Sequence, residues 1–282
     1  NSIKGYDKER KVSYWNRHSE VLYGYSEAEA LGCKLEELII PEAMQEQVIA
    51  DIENWIRNNR PIPASELTLH KKDGSEVLVY SSHVMLRSPQ KEPEIFCIDI
   101  DLTQQKEAEQ ALERLANYDV LTQLPNRHFF LRHMRALINK AERNHSEFAL
   151  FFLDLDDFKV INDTYGHDYG DGVLIEAAER LRSSLRDYDF VARYGGDEFT
   201  VTIEYEDGDE MIEKIAQKII NTLKEPIYIN NTRLQIGSSV GISLYPRDTS
   251  KLQTLLKYAD AAMYSAKEGG KNRHSHYSNR SL

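Results

Sequence analysis

Arg193-Tyr194-Gly195-Gly196-Asp197-Glu198-Phe199 joins two runs of strand-forming residues, Phe190–Arg193 and Phe199–Ile203, through adjacent glycines. Glycine permits positive φ and carries no side chain, so the turn can be tight and another molecule can approach its backbone. Two carboxylates follow at once and place dense negative charge at that approach. Taken alone, the segment also reads as an exposed acidic hairpin. A second segment bears on that choice. Phe148–Leu155 is almost wholly apolar, as expected of a central strand buried on both faces, and it runs into Asp154-Leu155-Asp156-Asp157-Phe158-Lys159. Carboxylates there lie at the carboxyl end of a core strand, and hard oxygen ligands of this kind suit Mg²⁺ shared with substrate phosphates.

Working outward, residues 118–282 alternate strands and helices. Helices are expected over Asp171–Leu185, Glu210–Leu223 and Leu252–Lys267, with a further strand over Val240–Leu244. Other phosphate and metal motifs are excluded. Phe158 and Lys159 occupy positions where a calcium loop needs a ligand and a glycine. The stretch Ser265–Lys271 lacks the Gly-x4-Gly-Lys-Ser/Thr pattern, and no Gly-x-Gly-x-x-Gly fingerprint is present.

Residues 1–103 read as a separate small α+β unit. A strand is expected over Lys11–Tyr14, a short helix at Ser19–Leu22, and a capping box at Ser26-Glu27-Ala28-Glu29. A longer helix runs from Pro41 through Arg57. Strands Ser65–His70 and Glu76–Met85 flank the turn Lys71-Lys72-Asp73-Gly74, and Glu94–Asp101 closes the unit. This order, with the Lys72-Asp73-Gly74 hairpin and the terminal Asp99-Ile100-Asp101-Leu102-Thr103, resembles a PAS sensory domain, which implies an antiparallel sheet with flanking helices. Residues 104–117 follow as a linker helix free of Gly and Pro. Ala108, Leu112 and Leu115 fall four and three apart on it, a short coiled-coil seam suited to a dimerising, signal-carrying connector.

The carboxylate segments, together with Asp119-Val120-Leu121-Thr122-Gln123-Leu124-Pro125-Asn126-Arg127, resemble the GGDEF domain, the diguanylate cyclase family. The resemblance covers nearly all of 118–275. It implies a palm-like α/β fold related to adenylyl cyclases, and conversion of two GTP into cyclic di-GMP and two pyrophosphates by a Mg²⁺- or Mn²⁺-dependent homodimer. It implies Asp154, Asp197 and the Leu155 carbonyl as metal ligands, and Asp197 and Glu198 as catalytic residues, with Asp197 the general base. Asn162 and Asp171 match the guanine-reading pair. Phe158, Lys159, Gly195, Gly196, Lys267 and Lys271 complete the implied substrate-binding set. Two positions depart from the family pattern. Lys271 stands where arginine is usual, replacing a bidentate fork by a point charge, and Gln123 stands where glycine is usual. Arg186-Asp187-Tyr188-Asp189 resembles the family's Arg-x-x-Asp product-inhibition motif, which implies that Arg186 and Asp189 bind cyclic di-GMP.

Composition narrows the partners. With 35 basic against 46 acidic residues and a net charge of −11, the chain argues against a nucleic-acid binder that relies on bulk electrostatics, while leaving room for a small anionic ligand. The two cysteines, Cys33 and Cys97, are too few for a disulfide scaffold or a thiolate zinc site and read as buried free thiols. No run of 18 apolar residues is present and no signal peptide opens the chain, so a cytoplasmic setting is expected. The first residue is Asn1, which leaves room for further domains or a membrane anchor outside this stretch. The PAS ligand is not named by the sequence: His18, His70 and His83 lack a haem context, and Cys33 lacks a flavin-adduct motif. Two other readings are a catalytically silent GGDEF module that binds nucleotide or partners, and a purely structural PAS dimeriser; the second leaves the carboxylates of 154–198 unexplained.

Overall fold

The computed structural model describes residues 1–88, 91–205 and 208–277, so positions 278–282 of the expected C-terminal domain lie outside the described residues. The chain divides into two compact units, Asn1–Ala111 and Leu112–Leu282.

The first unit contains β1 (Ser2–Tyr6), β2 (Val12–Trp15), α1 (Arg17–Tyr23), α2 (Glu27–Ala30), α3 (Leu35–Leu38), α4 (Glu42–Asn58), β3 (Ser65–His70), β4 (Glu76–Ser88) and β5 (Lys91–Asp101). The antiparallel sheet has the order β2-β1-β5-β4-β3. The Ser26–Glu29 capping box forms as expected. Strand β1 is absent from the expectation above, because Ser2-Ile3-Lys4-Gly5-Tyr6 carries a lysine and a glycine where alternation would show. Both are explained by packing. Lys4 is buried, and a Cβ on Gly5 would sit 2.9 Å from the Phe96 ring.

Lys4 forms an ion pair with Asp99, whose other partners are the Tyr23 hydroxyl and the Cys97 thiol. Burial alone would raise the Asp99 pKa, but the Lys4 charge and hydrogen bonds from Lys4, Tyr23 and Cys97 outweigh it and hold the carboxyl below its usual range. Burial pushes the Cys97 thiol up to about 12 and, with the Lys4 charge, pulls His83 down to about 4. Cys97 is therefore an inert buried thiol; Cys33 is half-buried, a correction to the expectation that both are buried. Lys4, His83 and Cys97 lie at the polar end of a cavity of about 270 Å³ whose apolar wall includes Met44, Val48, Ile52 and Leu67.

Removing one partner of a buried ion pair strands the other charge, which costs about 3–5 kcal/mol. Lys4→Met is expected to lose that much in urea unfolding, and Lys4→Met/Asp99→Leu to recover most of it. Because the Asp99 pKa is depressed in the fold, its stabilisation is present above the unfolded carboxylate pKa and is lost as pH falls through the folded value. Equal losses in the single and double variants would show that the pair is not what holds this region.

Helix α5 (Thr103–Asn117) contains the boundary between the units, and Leu112 and Leu115 on it are exposed. The second unit continues with α6 (Arg127–Asn144), β6 (Glu147–Asp156), α7 (Phe158–Tyr165), α8 (His167–Ser184), β7 (Phe190–Gly195), β8 (Glu198–Tyr205), α9 (Gly208–Lys224), β9 (Ile227–Ile229), β10 (Thr232–Leu234), β11 (Gly237–Tyr245), α10 (Leu252–Glu268) and β12 (Arg273–His276). Its main sheet has the order β12-β11-β6-β8-β7, antiparallel except for the β11–β12 pair. Central strand β6 is apolar on both faces because helices cover both. Ala149, Phe151, Leu153 and Leu155 pack with α8 and α9, while Phe148, Leu150 and Phe152 pack with α6 and α10.

Helix α6 is unassigned in the sequence analysis although Phe130, Met134, Leu137, Ile138 and Ala141 have helical spacing and Asn126 caps it, accepting from the Phe129 N–H at 3.0 Å. Helix α8 begins four residues before the expected Asp171, since Gly170 is a packing position rather than a breaker: a Cβ there would fall 1.8 Å from Asn162 Oδ1.

Candidate active site

The sheet brings the two acidic segments together. Asp154 of β6 is the register partner of Glu198 in β8, and the Leu155 N–H donates to the Asp197 carbonyl at 3.3 Å. Strand β6 thus delivers its carboxyl end to the Gly195–Gly196 turn. Gly196 has φ +54°, and a Cβ on either glycine would meet nothing within 4 Å, so the turn's outer face is open to a ligand. Arg193 fixes the turn: its Nε and Nη2 donate to the Gly196 carbonyl at 2.9 and 2.7 Å, and its Nη1 to Asp119 Oδ1 at 2.9 Å. Asp119 in turn accepts from the Thr122 N–H and hydroxyl. Nothing local in the sequence gives Arg193 or Asp119 a role, because 74 residues separate them. Next to Asp119, Gln123 has φ +56°, the left-handed region that glycine occupies without strain, which accounts physically for glycine as the usual residue there.

The electrostatics are those of an under-neutralised carboxylate cluster. Burial, then the Asp197 and Asp156 charges, push the Asp154 pKa up against the opposing effect of Lys267. Burial, Asp154, Asp260 and Asp197 do the same to Glu198. Lys267 Nζ lies 2.8 Å from Asp154 Oδ2 and supplies one positive charge. Oxygen donors crowded until they hold protons too tightly are the donor set that a hard divalent cation relieves. Asp156 is otherwise engaged: Oδ1 accepts from Ser239 Oγ at 2.6 Å and Oδ2 from the Asn272 N–H at 2.8 Å. Asp157 pairs with Lys271 Nζ at 2.5 Å.

Phe158 and Lys159 open α7 directly after Asp157, and the first N–H groups of a helix have no intrahelical partner, which suits phosphate oxygens. Asn162 lies further along α7 and Asp171 on α8. Asn162 Oδ1 is buried without a hydrogen-bond partner against Gly170, while Asp171 is exposed. Arg186 and Asp189 lie in the turn just before β7. The Arg186 N–H donates to Asp189 Oδ2 at 2.9 Å, and the guanidinium sits 5.6 Å from the Tyr188 ring centroid. Asp189 Oδ1 is buried without a partner.

A strand-end carboxylate cluster facing a glycine turn, on a sheet with helices on both faces, defines a palm-type domain, and comparison with known proteins places it. The family described as "Diguanylate cyclase, GGDEF domain" matches residues 116–273, and the PAS fold matches residues 12–97. The chain belongs to the GGDEF family, with a PAS fold preceding that domain. It is 30% identical over 270 residues to the probable diguanylate cyclase DgcE of Escherichia coli, covering 95% of this chain and 24% of that protein. The crystal structure of the GGDEF domain of PA1120 (YfiN or TpbB) from Pseudomonas aeruginosa is 37% identical with a TM-score of 0.54, over 56% of this chain and 98% of that one. The coiled coil and GGDEF domain of DgcB from Caulobacter crescentus, solved in complex with c-di-GMP, is 28% identical with a TM-score of 0.57, over 62% and 93%. Other relatives, 37–39% identical, are named cyclic di-GMP phosphodiesterases. The chain spans about a quarter of the length of the first curated relatives it matches. Among the described residues, no helix is long and apolar enough to cross a membrane.

Proposed function

We propose that this chain condenses two GTP into cyclic di-GMP and two pyrophosphates, under control of its PAS unit. The observation that carries the reading is the crowding of Asp154, Asp197 and Glu198 beside an open glycine turn, with Lys267 as the adjacent cation. Each bond forms when a ribose 3′-hydroxyl attacks the α-phosphorus of the other GTP and pyrophosphate departs. Asp197 accepts the hydroxyl proton. Asp154, Asp197 and the Leu155 carbonyl would hold a divalent cation, Mg²⁺ or Mn²⁺, which would lower the hydroxyl pKa and neutralise charge on the phosphates. Gly195 and Gly196 admit the triphosphate close to the backbone. Lys267 and Lys271, with the first N–H groups of α7, compensate its charge, and Asn162 and Asp171 read the base.

A single site around one GTP supplies either the attacking hydroxyl or the attacked phosphorus, so two GGDEF units face each other across a two-fold axis. The PAS unit and the exposed Leu112 and Leu115 of α5 raise their effective concentration. Incubating the chain with GTP and Mg²⁺ tests the reading: cyclic di-GMP should accumulate with two pyrophosphates per product. A silent module would bind GTP and return it unchanged.

Product inhibition is assigned to Arg186 and Asp189. Arg186 has the fork geometry to grip phosphate or the guanine O6/N7 edge, and the unpartnered Asp189 Oδ1 can accept from guanine N1–H or N2. Arg186→Ala is expected to leave the initial rate within about twofold of wild type and to raise the inhibition constant for added cyclic di-GMP at least ~10-fold, the scale of losing one bidentate contact. Identical inhibition curves would return both residues to the ordinary surface.

A further inference from the structure

Edge strand β12 carries His274 and His276, and alternate residues of a strand face the same side. On that side lies Glu213 of α9. His274 Nε2 is 3.3 Å from Glu213 Oε2, and His276 Nε2 is 2.8 Å from Oε1. The ligand atoms of all three residues lie within 4.8 Å of one another. We propose that Glu213, His274 and His276 bind one divalent transition-metal ion of the zinc class, with the remaining coordination position open to water.

The geometry fits. Zinc binds imidazole nitrogen and carboxylate oxygen at about 2.0–2.2 Å, so tetrahedral neighbours stand roughly 3.3 Å apart. The His274 separation of 3.3 Å equals that spacing, and the His276 separation of 2.8 Å, to the other Glu213 oxygen, is about 0.5 Å shorter, a difference that a small rotation of the carboxylate closes. Two imidazoles and a carboxylate match zinc, and equally nickel or copper, rather than the all-oxygen shells of Mg²⁺ or Ca²⁺. Side-chain exposures of 20% for His274 and 29% for His276 leave the ion an entry path and a solvent position.

A plain carboxylate–histidine contact is the competing account, and the hydrogen bonding disfavours it. His276 Nε2 is buried yet makes no hydrogen bond, although Glu213 Oε1 is only 2.8 Å away, so the nitrogen is close to the oxygen without the alignment a donated proton requires. A shared cation needs nitrogen and oxygen close together with no proton between them, and the His276–Glu213 contact meets that condition.

The site is separate from the carboxylates of Asp154 and Asp197 and does not depend on the catalytic proposal. Its physical effect is to tie β12 to α9 just after Asn272, whose N–H holds Asp156. Metal that binds the folded state alone stabilises it by mass action.

The test uses the full chain, untagged and stripped of metal, with zinc alone as the probe. Wild type and Asp197→Asn should each retain one zinc per chain at this site, show the visible d–d bands of four-coordinate cobalt when Co²⁺ is substituted, and melt several degrees higher with zinc. His276→Gln and Glu213→Gln, checked for native circular dichroism, should bind zinc at least ~100-fold more weakly and lose the cobalt bands, since removing even an outer-shell partner costs 10–100-fold. If His274→Gln/His276→Gln binds zinc as wild type does, the ion sits elsewhere and the proposal is wrong. Failure of wild type to retain zinc overturns it equally.

Discussion

Asp197→Asn is expected to lower cyclic di-GMP synthesis at least ~100-fold without loss of the fold, by analogy with removing one key charge-stabilising group from an active site. The amide preserves the shape of the side chain and removes the charge that would hold the cation and take the hydroxyl proton. Stability should move the other way. The Asp197 charge is one of the causes that raise the pKa of both Asp154 and Glu198, so neutralising it relieves like-charge repulsion in the metal-free protein. A carboxylate whose folded pKa is raised above its unfolded value opposes folding increasingly as pH rises between the two values. The variant's metal-free Tm should therefore equal or exceed that of wild type at neutral pH, and added Mg²⁺ should raise it less. Turnover within threefold of wild type would remove Asp197 from the chemistry. A large fall in Tm would mean instead that lost activity reports lost structure.

The parts of this site visible in the sequence are those encoded locally. The Gly195–Gly196 turn and the apolar run ending at Asp154 each announce themselves within ten residues, and the β6–β8 register then joins them as neighbours. What stayed hidden depends on distance along the chain. Arg193 reaching Asp119, Lys271 reaching Asp157 and the Asn272 N–H reaching Asp156 are made by the sheet order, and no local pattern predicts them. The same holds for His274 and His276: two histidines on a short strand mean little until α9 places Glu213 against them. Strand β1 was concealed for a different reason. Its Lys4 breaks the apolar alternation, and only the buried Asp99 explains a lysine at that depth. Helix α6, by contrast, is legible in its apolar spacing and its Asn126 cap, and its charged outer face is what an amphipathic helix shows.

Base selection should be the other large effect. Asn162 Oδ1 is buried without a hydrogen-bond partner, which costs free energy that a donor brought to it would recover. Guanine offers N1–H and N2 donors and the O6 and N3 acceptors that an amide and a carboxylate match. Adenine at the same place leaves the Asp171 carboxylate facing N1, which accepts rather than donates. Sites built on such hydrogen bonds reject the analogue lacking them by about 10⁴–10⁵. Preference for GTP over ATP in kcat/KM is therefore expected to exceed ~10³, allowing for the exposure of Asp171. Asp171→Ala should raise the KM for GTP and narrow the preference. Gly170→Ala is the sharper probe, because it displaces Asn162 without replacing any residue of the proposed substrate-binding set. The new Cβ would fall 1.8 Å from Asn162 Oδ1, 2.9 Å from its Cγ and 3.2 Å from the Phe158 ring, so the whole Asn162 side chain must swing away. In a helix interior alanine is better than glycine by about 1 kcal/mol, which offsets part of the local strain, so the Tm should change little while the KM for GTP rises at least ~10-fold. If the Gly170→Ala enzyme keeps the wild-type KM and selectivity, Asn162 does not read the base; if wild type uses ATP as well as GTP, neither Asn162 nor Asp171 does.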